Sequence, residues 1–268
     1  MATAPKKPPK KKLMAGMTQS QVWKSFFRHG YPSDRRNRTL TVTSNVVLHL
    51  HPVRSRKTGI KLRYTWCMGG ISFFLFLVLT FTGLLLMFYY RPTVEYAYAD
   101  ILDLRDQVPL GIMRELHRWG AHLMVISVWL HMLRVFMTGA YKPPREFNWG
   151  VGVILLVITM FLSFTGYLLP WDQLAIWAVT VGTNMARATP FLGHEGPGSA
   201  LLKLGDISLV HAGSDVRFAL LGGRFVGAGA LLRFYVLHCV GVPLLAGFLM
   251  ALHFWRVRKD AGGISGPL

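Results

Sequence analysis

The stretch RELHRWGAHLMVISVWLHMLR, residues 114–134, is an apolar run with His117 and His131 inside it and arginines near its ends. A helix needs about 20 mostly apolar residues to cross a bilayer, and this stretch approaches that length. Ionisable side chains inside a membrane are energetically costly, so they are functional candidates by default. The stretch therefore predicts a membrane helix whose two histidines serve something other than packing.

Three further apolar runs accompany this one, in a chain that is 52% hydrophobic. That composition points away from an ordinary soluble protein. We predict an all-α membrane protein, a four-transmembrane-helix bundle with spans over residues 64–90, 108–138, 147–171 and 233–256. The link between the third and fourth spans is too long to be a mere connection, and we expect it to form short surface helices.

Positive charge is distributed unevenly along the chain, whose net charge is +18. Four spans place residues 1–63, 134–146 and 256–268 on one side, with 21 Lys and Arg against 3 Asp and Glu. The opposite side has 9 of each. This asymmetry follows the positive-inside rule, so it predicts N- and C-termini on the cytoplasmic, negative side and argues against a nucleic-acid partner.

The predicted domain organisation has four parts: a basic N-terminal extension and surface segment (1–63), a four-helix domain (64–260), an extramembrane loop within it (172–232) and a C-terminal tail (261–268). Residues 4–12 are expected to be a disordered tail near lipid headgroups or partner subunits. Residues 20–31 fit either a surface helix or a solvated terminus. No signal peptide is evident, and the N-terminus is expected to be retained.

Four histidines form two matched pairs. His117 and His131 are 14 residues apart, about 21 Å along a helix axis, whereas His238 and His253 are 15 apart, about 22 Å. Since the second and fourth spans run parallel, His117 pairs with His238 and His131 with His253. Facing imidazoles suit six-coordinate haem iron, so the pairs predict two b haems. His122 is rotated about 140° from His117 and is assigned no ligand role.

Arginines flank both histidine levels. Haem propionates need cations at the membrane edges, and for any single arginine the alternative is a side chain that snorkels to the interface. The candidates are Arg114 and Arg118 at the outer level, and Arg134 and Arg258, beside Lys259, at the inner level.

Glycines in the first and third spans repeat the 14-residue spacing. Planar macrocycles stacked between four helices require missing side chains at two depths, although small residues also simply let membrane helices approach. The candidates for haem packing are Gly69, Gly83, Gly152 and Gly166.

The segments YTWCMGG (64–70), HRWGAH (117–122), TGYLLPWDQ (165–173) and RFYVLHC (233–239) resemble the cytochrome b family in its short, split, b6-type form. The resemblance implies that His117 and His238 hold the haem near the positive side, and that His131 and His253 hold the haem near the negative side. It also implies a third, c-type haem attached covalently to Cys67. From the residues alone, Cys67 and Cys239 would be inert thiols, and neither is expected in a disulfide.

The same resemblance implies a function: a subunit of a quinol:cytochrome c or plastocyanin-type oxidoreductase, a Rieske/cytochrome b complex coupled to proton translocation. Quinol would be oxidised in a pocket that includes Pro170, Trp171, Asp172 and Gln173. The implied partners are a second cytochrome b polypeptide similar to subunit IV, a Rieske iron–sulfur protein, a c-type cytochrome and quinol or quinone, in a homodimeric complex within membrane lipid. A short form with a long basic tail suggests a bacterial inner membrane.

Two rival functions stay open at this point. A di-haem membrane anchor of a dehydrogenase or hydrogenase also passes electrons to quinone, and a basic membrane protein without redox chemistry would fit the charge. Relative to the family pattern, residues near 194–218 are an insertion and the N-terminus is extended, which puts the partner contacts in doubt.

Overall fold

The computed structural model of the protein describes residues 34–44, 61–107 and 109–261. Four helical stretches in it are long and apolar enough to cross a membrane: Met68–Met87, Leu110–Met137, Glu146–Tyr167 and Ala228–Lys259. Each coincides with a predicted span, so the all-α membrane fold is confirmed. The predicted N-terminal tail, the segment 20–31 and residues 262–268 lie outside the described residues.

The described residues form ten α-helices, numbered here in chain order. They are α1 (Arg35–Ser44), α2 (Leu62–Thr65), α3 (Met68–Met87), α4 (Ala97–Asp106), α5 (Leu110–Met137), α6 (Glu146–Tyr167), α7 (Gln173–Ala186), α8 (Val216–Leu221), α9 (Ala228–Val236) and α10 (Val242–Ala261). A π-helical turn, Leu237–Gly241, joins α9 to α10. A 3-10 turn, Ser199–Leu201, and the paired strands β1 (Lys203–Leu204) and β2 (Ile207–Ser208) lie between α7 and α8.

Helix ends differ from the predicted bounds for local reasons. The first span begins at Met68 because Trp66 and Cys67 have left-handed backbones, with φ of 52° and 54°. The third ends at Tyr167, ahead of the predicted 171, because Pro170 disfavours helical geometry in the residue before it. The fourth span begins earlier than predicted, at the start of α9.

The chain divides into two compact units. The larger comprises residues 67–133 and 153–251, and the smaller comprises the remaining described residues. Within the larger unit α3 and α5 are antiparallel neighbours, joined by a buried hydrogen bond of 3.0 Å between the hydroxyls of Ser72 and Ser127. Leu79 packs where a Cβ on Gly120 would stand. Small residues thus let the two helices approach closely, as is common in membranes.

The loop after α6 folds against the ends of the membrane helices. Leu168, Val179, Leu221 and Phe234 are fully buried together, so α7 and α8 cover the ends of α6 and α9. Asp215 caps α8 by accepting a 2.8 Å hydrogen bond from Phe218 N. The expected short surface helices are present, together with a small β-hairpin that was not predicted.

Helix α4, which was also not predicted, is held by a buried carboxylate. Asp100 accepts hydrogen bonds from the backbone N, Nε and Nη2 of Arg91 at 2.8, 3.1 and 2.6 Å. The guanidinium of Arg91 therefore holds the pKa of Asp100 below its usual value, although burial opposes this. Nearby, Tyr90 donates to Leu169 O at 2.6 Å. These bonds fix the link between the first two spans.

Candidate haem centre

Two of the four candidate ligands come together in the larger unit. The imidazoles of His117 on α5 and His238 in the π-helical turn have ring centroids 6.1 Å apart and planes at 76°. A metal ion lies about 2 Å from a ligating imidazole nitrogen, so two rings on opposite sides of one ion have centres about 6 Å apart. The observed separation fits one metal ion between them.

Both rings are oriented from the back by hydrogen bonds to Nδ1. His117 Nδ1 is 2.8 Å from Thr82 Oγ1 on α3. His238 Nδ1 is 3.1 Å from Leu162 O and 3.3 Å from Thr165 Oγ1 on α6. A ligating histidine commonly donates its second ring N–H in this way, which fixes both the tautomer and the ring orientation. The nitrogen left to bind a metal is Nε2 in each ring.

Glycines make room for these imidazoles. A Cβ at Gly83 would lie 3.1 Å from Cε1 of His117, and one at Gly166 would lie 2.6 Å from Cε1 of His238. The third example is Gly69, where a Cβ would lie 3.3 Å from Cε1 of His131. The glycine spacing predicts that this space holds the macrocycle. The structure shows that at these three positions the imidazole itself uses it.

The inner-level candidates fall in different units. His131 lies on α5 in the larger unit, whereas His253 lies on α10 in the smaller unit, with its ring 6.3 Å from that of Phe254. Gly152 is half-buried on α6. The pairing of His131 with His253 therefore stays a prediction.

The predicted propionate arginines have protein partners. Arg114 and Arg118 both form ion pairs with Glu115, at 2.9 and 2.5 Å. The guanidinium of Arg134 lies 4.8 Å from the ring centre of Trp66. Arg258 is half-buried in the last turn of α10, and Lys259 lies 4.7 Å from the ring centre of Trp255.

One fully buried arginine is not among the arginines predicted from the sequence. Arg256 has no exposed surface, and its guanidinium lies 5.1 Å from the ring centre of Phe147. The available signal was its spacing: it follows His253 by one helical turn and so shares a face with it, whereas Arg258 does not.

Cys67 lies at the start of α3 and is exposed. Its φ of 54° is unusual for a residue with a Cβ. A Cβ on Gly70 would stand 2.8 Å from its Sγ, so that glycine is what leaves room for the sulfur.

The PWDQ segment is a turn, not the end of a helix. Pro170 lies in the turn after α6, Trp171 has a left-handed φ of 52°, and Gln173 begins α7. Asp172 accepts a 2.8 Å hydrogen bond from Ala175 N and thereby caps α7. Its carboxylate thus has a structural role as the N-cap of α7.

Histidines outside the pairs behave in two ways. His122 is exposed and donates from Nδ1 to Arg118 O at 2.9 Å, and its ring lies 5.6 Å from that of Trp119, tilted by 46°. His194 lies outside the spans, and only 20% of its side chain is exposed. Its Nδ1 is 2.5 Å from Asp215 Oδ2.

That contact stabilises a charged carboxylate inside the insertion. Burial raises the pKa of Asp215, but the hydrogen bonds from Phe218 N and His194 outweigh it, and the pKa lies below the usual value. Arg187 also contacts the His194 ring, with Nη2 3.2 Å from Nε2. His194 is largely buried because the insertion folds back on itself, which local sequence does not reveal.

The part of the chain that the structure describes contains no cluster of three or more His, Cys, Asp or Glu that could hold a metal ion. Two opposed imidazoles alone leave the other coordination positions to a non-protein group, as a porphyrin would supply. The fold and the site together define a class: an all-α integral membrane protein in which two opposed imidazoles, those of His117 and His238, could hold a metal ion.

Comparison with known proteins supports this class. Residues 53–196 match the family model for cytochrome b/b6/petB, a range that contains Cys67, His117 and His131. Cytochrome b6 of Tupiella akineta is 44% identical over 204 residues, which cover 76% of this chain and 85% of that protein. Cytochrome b6 of Synechococcus elongatus is 41% identical over the same shares.

A solved structure is also similar. A chain of a hyperthermophilic respiratory Complex III superposes with a TM-score of 0.64 and 25% identity, over 87% of this chain and 54% of that one. The protein thus spans about half the length of that chain.

The protein belongs to the cytochrome b/b6 family. It is a haem-carrying subunit of a cytochrome b6f/bc-type electron-transfer complex, and so part of a quinol oxidoreductase. The family implies b haems. The rival assignments, a dehydrogenase anchor and a non-redox basic protein, account for neither the family match nor these relatives.

Proposed function

We propose that this chain moves electrons from quinol on the outer side of the membrane to a quinone on the basic side, within a Rieske/cytochrome b complex. The observation that carries the proposal is the His117–His238 pair, with centroids 6.1 Å apart and with each Nδ1 hydrogen-bonded from behind. Such rings are preorganised for binding through Nε2, because little rotational freedom remains to be lost.

The four histidines divide between two haems. His117 and His238 hold the outer haem b, and His131 and His253 hold the inner one. When bound, the haems supply one-electron redox chemistry that connects the two sides of the membrane. The chain's own contribution is to ligate and orient them and to exclude water. Glycines at 69, 83, 152 and 166 keep the histidine levels open, and arginines at 114, 118, 134 and 258 compensate the propionate charge.

A covalent c-type haem on Cys67 completes the proposed cofactor set. Its support is the resemblance of YTWCMGG to the short form of the family, together with the exposure of Cys67 and the space beside its sulfur. The guanidinium of Arg134 lies over Trp66, the residue before Cys67.

The remaining features concern partners and orientation. The complex would deliver electrons to a c-type cytochrome or plastocyanin-type acceptor through a Rieske iron–sulfur protein. Pro170, Trp171, Asp172 and Gln173 border the quinol-oxidation pocket, and a second, subunit IV-like polypeptide completes it. The assembly is a homodimer in a bacterial inner membrane, with both termini on the negative side, and proton release outside with uptake inside builds the membrane potential.

The test is haem content after single ligand substitutions in the purified complex. His117→Ala and His131→Ala should each remove one b haem, measured as the pyridine haemochrome of an acid-acetone extract. His122→Ala is the matched control because it lies on the same helix, and it should retain both. Full b-haem content in both ligand variants would contradict the assignment of His117 and His131 as haem ligands.

The covalent haem has its own measurement. After acid-acetone extraction the wild-type polypeptide should keep a haem that peroxidase staining detects, and Cys67→Ser should lose it. Cys239→Ser, the other cysteine substitution, should have no effect. If the wild-type chain loses all its haem on extraction, Cys67 is an ordinary thiol and the protein holds two haems.

A further inference from the structure

Thr82 is a hydrogen-bond acceptor for the outer ligand His117. Its hydroxyl donates to Val78 O at 2.8 Å and lies 2.8 Å from His117 Nδ1. A hydroxyl has one hydrogen, so the bond to His117 must use a hydrogen on Nδ1. Only 1% of Thr82 is exposed, which leaves no room for water to replace this bond. Thr82 therefore fixes His117 as the Nδ1–H tautomer, with a lone pair on Nε2.

Thr165 stands in the matching place beside His238, with a weaker contact. Its hydroxyl donates to Leu162 O at 3.0 Å and lies 3.3 Å from His238 Nδ1. Leu162 O, which can only accept, is itself 3.1 Å from Nδ1. His238 therefore also carries its hydrogen on Nδ1, but it shares that hydrogen between a carbonyl and a hydroxyl.

The two threonines occupy equivalent places in the sequence. Each stands in an FTG triplet, residues 81–83 and 164–166, ahead of the glycine that faces an outer ligand. At the inner level the residues ahead of Gly69 and Gly152 are Met68 and Val151. Neither side chain has a hydroxyl, so the FTG threonine is found at the two outer positions and not at these two inner ones.

We propose that Thr82, with a smaller contribution from Thr165, is a positioning residue that lowers the reduction potential of the outer haem. An acceptor on Nδ1–H makes the imidazole a more basic ligand, which stabilises oxidised iron relative to reduced iron. A lower potential at the outer level favours transfer of one electron to the inner level: one iron is oxidised, the other is reduced, and no proton moves. The inference rests on the proposed function, specifically on the His117–His238 ligand pair.

The experiment is a redox titration of the b haems in the purified complex carrying Thr82→Val, which keeps the side-chain shape and removes the hydroxyl. We expect the ratio of reduced to oxidised outer haem at a fixed ambient potential to rise roughly fivefold, about 40 mV at 59 mV per tenfold change in a one-electron couple. The inner haem should titrate as in the wild type. Thr165→Val should shift the outer haem less, because the Thr165 hydroxyl is 3.3 Å from His238 Nδ1, against 2.8 Å between Thr82 and His117, and Leu162 O remains as an acceptor at 3.1 Å.

Two variants make the outcome specific. Thr82→Ser restores the hydroxyl and should return the wild-type potential. Thr80→Val removes an exposed hydroxyl that makes the same kind of backbone bond, to Phe76 O, and should change nothing. If Thr82→Val has full haem content and its outer haem has the wild-type reduction potential, the proposal is overturned. If Thr82→Val instead loses the outer haem, Thr82→Ser decides: a wild-type potential supports the proposal, and a shifted one overturns it.

The His117→Ala variant separates an error in the proposed ligand pair from an error in the proposed role of Thr82. If His117→Ala retains both b haems, the ligand pair itself is wrong, whatever the threonine variants do. If His117→Ala loses one haem while Thr82→Val leaves its potential unchanged, the ligands stand and only the role of Thr82 is overturned.

Discussion

At the level of single residues, Gly166 is the glycine at which an added side chain would come closest to a candidate ligand imidazole. A Cβ there would lie 2.6 Å from Cε1 and 3.1 Å from Nε2 of His238, both closer than normal packing allows. We expect Gly166→Ala to displace the ring and to remove the outer haem or reduce its occupancy. Overpacking of this kind costs about 1–3 kcal/mol. The measurement is b-haem content per polypeptide in the purified complex.

Gly150 provides the comparison on the same helix. A Cβ there would meet nothing within 4 Å. Gly150→Ala should therefore leave the haem content unchanged and stabilise the helix by up to about 1 kcal/mol, since alanine restricts the unfolded chain. Equal haem loss in the two variants would mean that helix propensity, rather than contact with His238, is responsible.

The sequence predicts single site residues correctly where their spacing along a helix is the evidence. The outer candidates His117 and His238 were identified from periodicity and span direction alone, and the structure brings their rings together. Thr82 could not be identified, because a hydroxyl in a membrane helix usually bonds to its own backbone, as that of Thr80 does. Only the register between α3 and α5 reveals that Thr82 makes a second contact.

Among the elements, the π-helical turn Leu237–Gly241 explains an irregular spacing. His238 and His253 are 15 residues apart, whereas His117 and His131 are 14 apart, two heptads of a left-handed bundle. A π turn accommodates one residue more than an α turn. Pro243 has no N–H to donate to Cys239 O, which removes an α-helical bond at this place. The turn therefore absorbs the additional residue.

Single-residue deletions test this explanation. Deletion of Val240, which lies in the π turn and is 45% exposed, should convert the turn to regular helix and preserve both b haems. Deletion of Leu245, 49% exposed in α10, should leave the π turn in place and rotate the rest of the helix by about 100°, which removes haem. The readout is haem content, and tolerance of both deletions would contradict the explanation.

The sequence does not predict those helices whose formation depends on polar contacts instead of a long apolar run. The four spans were identified because their length and hydropathy suffice. Helix α4 was missed because it has no apolar run, and its position depends on the pairing of Asp100 with Arg91. The partial burial of His194 likewise depends on Asp215, which is distant in the sequence.

For the whole molecule, the charge distribution predicts the orientation in the membrane. The segments 1–63, 134–146 and 256–268 together contain 21 basic and 3 acidic residues, so they should face the negative side. The opposite segments, residues 91–118 and 172–233, together contain 9 basic and 9 acidic residues and should then face outward, with the strands β1 and β2 in the second of them. Orientation cannot follow from helix geometry alone, because a helical bundle crosses a bilayer equally well in either direction.

Two epitope tags on the otherwise intact chain test the orientation. One is inserted between Gly205 and Asp206, at the tip of the hairpin, where exposed backbone tolerates insertion. The other follows Leu268. In intact spheroplasts an antibody should reach the hairpin tag and not the C-terminal tag, and in inverted vesicles the accessibility should reverse. Haem content in both tagged chains controls for correct assembly. A C-terminal tag that is reached in intact spheroplasts would mean that the basic segments face outward, and the proposed direction of electron transfer from outer to inner haem would have to be inverted.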